Sequence, residues 1–136
     1  GDDAATVLVQ RMTSPGVDIR IRVRVDERLG PVITVGLGGV QADAIGDESS
    51  RLAPVSPSTA MSMIADTRAA AALTADSHER LADVVTRIAL LASDHPAIAE
   101  LDLNPVVVNA DGCCVVDALI TLRASDRPEP AVRRLE

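Results

Sequence analysis

Val17–Val35 reads VDIRIRVRVDERLGPVITV, and this stretch decides the fold class. Val17, Ile19, Ile21, Val23 and Val25 alternate strictly with Asp18, Arg20, Arg22, Arg24 and Asp26, the period-2 pattern of a strand with one buried face. Asp26 to Gly30 carries turn residues, and Pro31–Val35 is again β-prone, so the two runs predict an antiparallel pair. The second run ends in the glycine-bearing turn Gly36-Leu37-Gly38-Gly39.

Upstream, Thr6–Met12 is a β-like run followed by the turn Ser14-Pro15-Gly16, which predicts a hairpin leading into Val17. Downstream, a short strand is expected over Val40–Ile45. The pattern then becomes helical. Ser56-Pro57 forms an N-cap and N1 pair, with Ala60, Met61, Ile64 and Ala65 on one face. An Ala-rich stretch to Leu73 precedes Asp76-x-x-Glu79, a capping-box variant. Leu81, Val84, Val85, Ile88 and Leu91 then recur at helical spacing, and His95-Pro96 ends that helix. A closing hairpin runs from Glu100 through the turn Asp111-Gly112 to Leu122. Strands, then helices, then a hairpin predict an α+β fold, a mostly antiparallel sheet packed against helices. Residues 1–123 form one domain on this reading, and 124–136 a loose tail rich in Arg, Glu and Pro.

Composition narrows the function classes. The chain has 136 residues, 47% of them apolar, enough for one domain with a core. Phe, Tyr and Trp are absent, so aliphatic side chains build the core and no base stacks on a ring. The net charge is −7 and all 13 basic residues are Arg, which excludes nucleic-acid backbone binding as an electrostatic match. No apolar run approaches the roughly 20 residues a membrane helix needs, and the start carries no signal-peptide pattern, so a cytoplasmic protein without membrane partners is expected. Gly1 in first place, with a polar opening, predicts a segment of a longer protein. Cys113 and Cys114 are adjacent in an apolar stretch and read as small strand residues, buried or half-buried, rather than a disulfide or metal site.

The closing hairpin holds the candidate chemistry. With Asp111-Gly112 as central turn residues, Ala110 pairs Cys113, Val106 pairs Asp117 and Asn104 pairs Leu119. Asp102, Asn104 and Asp117 then share one face, Asn104 and Asp117 as diagonal neighbours, while Leu101, Leu103, Val107 and Val116 take the buried side. Two carboxylates and an amide oxygen on one face suit a hard cation such as Mg²⁺. They suit, somewhat more ordinarily, a solvated face, and the residues alone leave both readings open. The stripe Arg20, Arg22 and Arg24 likewise reads either as phosphate-binding charge or, more ordinarily, as a solvated face or interface.

The string Glu-Leu-Asp-Leu-Asn-Pro-Val-Val-Val, a turn with Gly, then Val-Val-Asp-Ala resembles the metal-binding hairpin of the ATP-grasp subunits of succinyl-CoA synthetase and the ADP-forming acyl-CoA synthetases. Val-Gln-Arg-Met, Pro-Gly-Val-Asp, Gly-Pro-Val, Gly-Leu-Gly-Gly-Val, Gly-Asp and Arg-Leu-Ala-Pro follow the family's order, so the resemblance spans Val7 to Leu122. It implies the carboxyl-terminal lobe of an ATP-grasp domain, in which Asn104 and Asp117 coordinate Mg²⁺ on nucleotide phosphates, with Asp102 beside them. Gly38, Gly39 and Asp43 would face the nucleotide. The implied full-length activity is acid + CoA + ATP ⇌ acyl-CoA + ADP + phosphate. Its partners would be the first ATP-grasp lobe and a CoA-binding domain carrying a phosphohistidine, and ATP or ADP would bind only together with that first lobe. The fragment alone is not expected to be active.

Some positions depart from the family's pattern. Leu119 stands where relatives carry Lys or Arg, Asp43 and Asp18 where Glu is common, and Arg22 where Gly is usual. These departures define an alternative: a degenerate, non-catalytic ATP-grasp module with a regulatory or assembly role. The resemblance also allows fusion to an acetyltransferase domain.

Overall fold

The computed structural model describes residues 6–124. The expected tail therefore lies, beyond Ala124, outside the described residues. Strands β1 (Val17–Asp26) and β2 (Gly30–Leu37) form the expected antiparallel pair. Asp26 shapes the turn between them, its carboxylate accepting from the Arg28 and Leu29 N–H groups at 2.8 and 2.9 Å. Strands β3 (Glu48–Leu52), β4 (Ile98–Asn109), β5 (Gly112–Val115) and β6 (Ala118–Leu122) complete a six-stranded antiparallel sheet. The order is β3-β2-β1-β4-β5, and β6 pairs with an earlier stretch of the same β4 edge that β5 uses.

Two helices cover one face: α2 (Pro57–Ala65) and α3 (Ala75–Asp94). Ser56 caps α2, accepting from the Thr59 N–H with Pro57 just inside, as the sequence predicts. For α3 the cap is Thr74, which accepts from the Ser77 N–H, and Asp76 instead lies in the first turn. Ile19, Ile21 and Val23 of β1 meet Ile33, Val35, Met63, Ile64, Leu81 and Val85 in a core without aromatic side chains. The opposite face bears Arg20, Arg22 and Arg24. No helix among the described residues is long and apolar enough to cross a membrane.

Three further expectations fail for definite reasons. Thr6–Met12 forms no strand, and Val7, Leu8, Val9 and Met12 are exposed. Both edges of β1 are taken by β2 and β4, which leaves no edge for an upstream hairpin partner. Val40–Ile45 is not a strand either. Gly39 turns the chain at φ +86°, and Ala42–Ile45 closes one helical turn, α1, ended by Gly46 at φ +60°. Pairing with β2 resumes only at Glu48, opposite Gly36, so the edge strand is β3.

The third difference sits in the closing hairpin. Asn109 Oδ1 accepts the Asp111 N–H at 2.9 Å, so Ala110 and Asp111 are the central turn residues and Asn109 pairs Gly112. Against the expected register the pairing slips by two residues: Val106 faces Val115, and Asp102, not Asn104, faces Leu119. Val116, expected inside, is exposed in the gap between β5 and β6. Cys113 is half-buried while Cys114 is exposed, and both are free thiols.

Candidate metal-nucleotide site

A slip of two residues leaves side-chain direction within a regular strand unchanged, so Asp102 and Asn104 of β4 keep a common side. The slip also brings Asn104 level with Asp117. The Asn104 N–H donates to the Asp117 carbonyl at 3.3 Å, and the Val116 N–H to the Pro105 carbonyl at 3.0 Å, carrying the ladder across the break.

The β1–β4 register shifts at the same place. Ile21 pairs Leu103 while Ile19 pairs Val106, so Arg20 alone stands opposite Asn104 and Pro105. This is a β-bulge, one residue against two. It reverses the alternation along β4: Leu101 and Leu103 face the core before it, Val106 and Val108 after it. Val107, expected beside the leucines, is buried but outside that core cluster.

Asn104 is tied to the glycine turn. Its Oδ1 accepts the Gly39 N–H at 2.8 Å, and its Nδ2 donates to the Gly39 carbonyl at 3.4 Å. The Gly38 N–H donates to the Asp18 carbonyl at 2.8 Å, and a Cβ at Gly38 would lie 2.6 Å from the Ile19 carbonyl carbon. Both N–H groups of the turn are thus used within the fold. Glycine at position 38 lets the turn lie against β1, and the turn in turn fixes the Asn104 amide.

Asp102 and Asp43 meet on one guanidinium. Arg20 Nε and Nη2 donate to the two Asp102 carboxylate oxygens at 2.9 and 2.5 Å, and Nη1 donates to Asp43 Oδ1 at 2.5 Å. The two ends differ in environment. The Arg20 and Asp102 side chains are only 15% and 18% exposed, while that of Asp43, on the single turn of α1, is 86% exposed. A bidentate, half-buried pair is the stronger kind; pairs with so exposed a partner typically contribute about 1 kcal/mol or less. Arg22 pairs Glu48 at 3.3 Å and Arg24 pairs Glu100 at 3.2 Å, so the arginine stripe is charge-compensated along its length. Arg20 is the residue that the sequence reading passed over. Its only signal there was membership of the stripe, and both its partners lie far away in sequence.

The Arg20 hydrogen bonds hold the Asp102 carboxyl below the usual carboxylate range, against an opposing effect of burial. Those bonds in turn raise the Arg20 pKa. Because the folded value for Asp102 lies below the unfolded one, the pair's contribution is fully present above the ordinary value of about 3.9 and is lost as pH falls through the depressed one. An Asp102→Asn variant should therefore be less stable than the wild type at neutral pH. Its denaturant midpoint should converge on the wild-type value as pH drops below about 4. Curves that stay parallel across that window would contradict the assignment.

Among the described residues no group of three or more His, Cys, Asp or Glu could enclose a metal ion. The donor set nonetheless suits Mg²⁺, which commonly takes one or two protein oxygens and fills its shell with water and phosphate. Asn104 Oδ1 keeps a second lone pair beyond the one given to Gly39. The Asp117 side chain is exposed and, among the described residues, in no ion pair. Asp102 has both oxygens on Arg20 and suits an outer position better than direct ligation.

Comparison with known proteins gives a consistent answer. The ATP-grasp domain family model matches residues 1–122. ADP-forming acetate–CoA ligase I of Archaeoglobus fulgidus is 35% identical over 122 residues, 85% of this chain and 18% of that protein. The beta subunit of ADP-forming acetate–CoA ligase I from Pyrococcus furiosus is 31% identical, covering 85% of this chain and 53% of the subunit. Among solved structures, the dinucleotide-forming acetyl-coenzyme A synthetase 1 of Candidatus Korarchaeum cryptofilum, in complex with coenzyme A and Mg-AMPPCP, superposes with a TM-score of 0.77 at 37% identity. That match covers 82% of this chain and 55% of the other. The chain therefore spans between about a fifth and about half of the proteins it matches.

Proposed function

The chain belongs to the ATP-grasp family, and from that premise we propose that it is the second lobe of the nucleotide site of an ADP-forming acid–CoA ligase. In the full-length protein that enzyme would interconvert acid, CoA and ATP with acyl-CoA, ADP and phosphate. The observation that carries the reading is the backbone pairing of Asn104 with Asp117, with the Asn104 amide anchored to the glycine turn through Gly39. The similarity to a synthetase solved in complex with coenzyme A and Mg-AMPPCP supports it.

In this scheme Asn104 and Asp117 would hold Mg²⁺, which would offset charge on the phosphates. Gly38 and Gly39 keep the turn close to β1 so that the Asn104 amide cannot swing away. Asp102 and Asp43 belong to the site through Arg20. The first ATP-grasp lobe and a CoA-binding domain are the proposed partners, supplied by other parts of the same protein or by a separate subunit.

A second reading, a module that has lost turnover, is favoured by one observation. Arg20, Arg22 and Arg24 of the open face are all ion-paired, so none stands ready for phosphate without giving up a partner. The test is ATP formation from acyl-CoA, ADP and phosphate by the full-length protein. Turnover that falls by at least about 100-fold in Asp117→Ala supports the enzyme, in line with the loss expected when a metal ligand or its support is removed. Nucleotide binding without turnover in the wild type favours the module.

A further inference from the structure

The three arms of Arg20 are unequal, and the difference points to a use. Two arms grip Asp102 in a half-buried bidentate pair, while the third reaches an almost fully exposed carboxylate on a one-turn helix. We propose that Arg20 is a phosphate-binding residue and Asp43 its exchangeable occupant: a phosphate oxygen displaces Asp43 from Nη1 while Asp102 keeps the guanidinium in place. The inference rests on the nucleotide-binding reading of this face and assigns to it a cation that reading lacks.

Position supports the assignment. Arg20 stands opposite the Asn104-Pro105 bulge, so its guanidinium lies on the same open face as the Asn104 amide. Asp102 fixes it there from a point two residues along β4. The chain has no Lys at all. Arg22 and Arg24 lie further along β1 from the bulge, and each is paired to a carboxylate less exposed than Asp43. A guanidinium presents its donors in a planar fork, so one edge can stay on a carboxylate while another donor serves a phosphate. Asp43 mimics that phosphate oxygen in the unliganded protein. Release of an exposed carboxylate into water is cheap, whereas removing Arg20 from Asp102 would leave a half-buried charge alone. The exchange therefore runs at Asp43 and not at Asp102.

The shared chemistry is a phosphate oxyanion, and two sources present it: the nucleotide and free phosphate. Calorimetric titrations of the full-length protein with Mg-ADP and, separately, with inorganic phosphate distinguish them. Asp43→Asn removes the competing charge and should tighten binding of one of these ligands by about threefold, the scale of an exposed ion pair. Removing any nearby negative charge would also favour an anion, so the decisive comparison is a double-mutant cycle. The tightening should vanish when Arg20 is replaced by Ala, which should itself weaken binding about tenfold or more.

Should Arg20→Ala fail to fold, Arg20→Lys takes its place. Lysine keeps the charge but not the planar fork, so it cannot hold Asp102 through two donors while a third stays fixed toward phosphate, and the Asp43→Asn gain should shrink. A gain that persists without Arg20, no gain for either ligand, or weaker binding in Asp43→Asn overturns the proposal while leaving the nucleotide reading intact. If the wild type itself fails to bind Mg-ADP, the nucleotide reading falls and the exchange falls with it.

Discussion

Replacing Asn104 with alanine is expected to abolish Mg²⁺-dependent nucleotide binding and to destabilise the lobe by about 1–3 kcal/mol. Both effects follow from one side chain. Its Oδ1 accepts the Gly39 N–H, and in the proposed site the same atom offers its second lone pair to the metal. Alanine leaves the Gly39 amide without its partner and removes one of two protein oxygens from the cation. Asn104→Asp separates the roles. A carboxylate keeps the acceptor for Gly39 and an oxygen for Mg²⁺, and loses only the 3.4 Å donation from Nδ2 to the Gly39 carbonyl. Asp at this position should therefore retain metal-dependent binding and most of the stability. Thermal unfolding alongside calorimetry checks both variants. Wild-type affinity in Asn104→Ala would make the amide a purely structural clamp.

Gly38→Ala is expected to cost about 3 kcal/mol of stability, or roughly 10 °C in Tm for a domain of this size. The added methyl would meet the Ile19 carbonyl carbon and oxygen at 2.6 and 2.7 Å, and the Arg20 nitrogen at 3.0 Å. These are backbone atoms of the central strand, held between β2 and β4, and they cannot turn aside as a side chain would. The glycine turn must move instead. Doing so breaks the Gly38 N–H bond to Asp18 and draws Gly39 away from Asn104, so nucleotide affinity should fall together with stability. Gly46→Asn is the control: Gly46 is left-handed at φ +60°, a Cβ there meets nothing within 4 Å, and Asn tolerates that conformation. It should stay within about 1 kcal/mol of wild type. Equal losses in the two variants would mean that backbone strain, not contact with β1, governs the turn.

Much of the fold was legible because local patterns carried it. The alternation in β1, the Ser56-Pro57 start of α2 and the helical spacing around Leu81 and Val85 each report burial within a few residues. The polar face of the closing hairpin was legible for a subtler reason. Side-chain direction repeats every two residues, so an error of two in register leaves Asp102 and Asn104, two apart on β4, on the same side.

What stayed hidden depends on distant parts of the chain. Thr6–Met12 looks like a strand to any local reading, and only the occupation of both β1 edges denies it a partner there. The bulge opposite Arg20 arises from how β1 meets β4, more than 80 residues later, and no pattern inside either strand marks it. The same separation concealed the Arg20 clamp. Asp43 and Asp102 each read as a free acid because the guanidinium that joins them sits on a third segment.

The central claim is that Asn104 and Asp117 form a metal-dependent nucleotide site on the open face of the sheet. Calorimetric titration of the full-length protein with ADP, with and without Mg²⁺, in wild type and Asp117→Ala, tests it most directly. The account predicts wild-type binding that requires Mg²⁺ and is lost in Asp117→Ala, with the variant's thermal stability unchanged because its side chain is exposed. Binding that is indifferent to Mg²⁺, or equal in the two proteins, would contradict it.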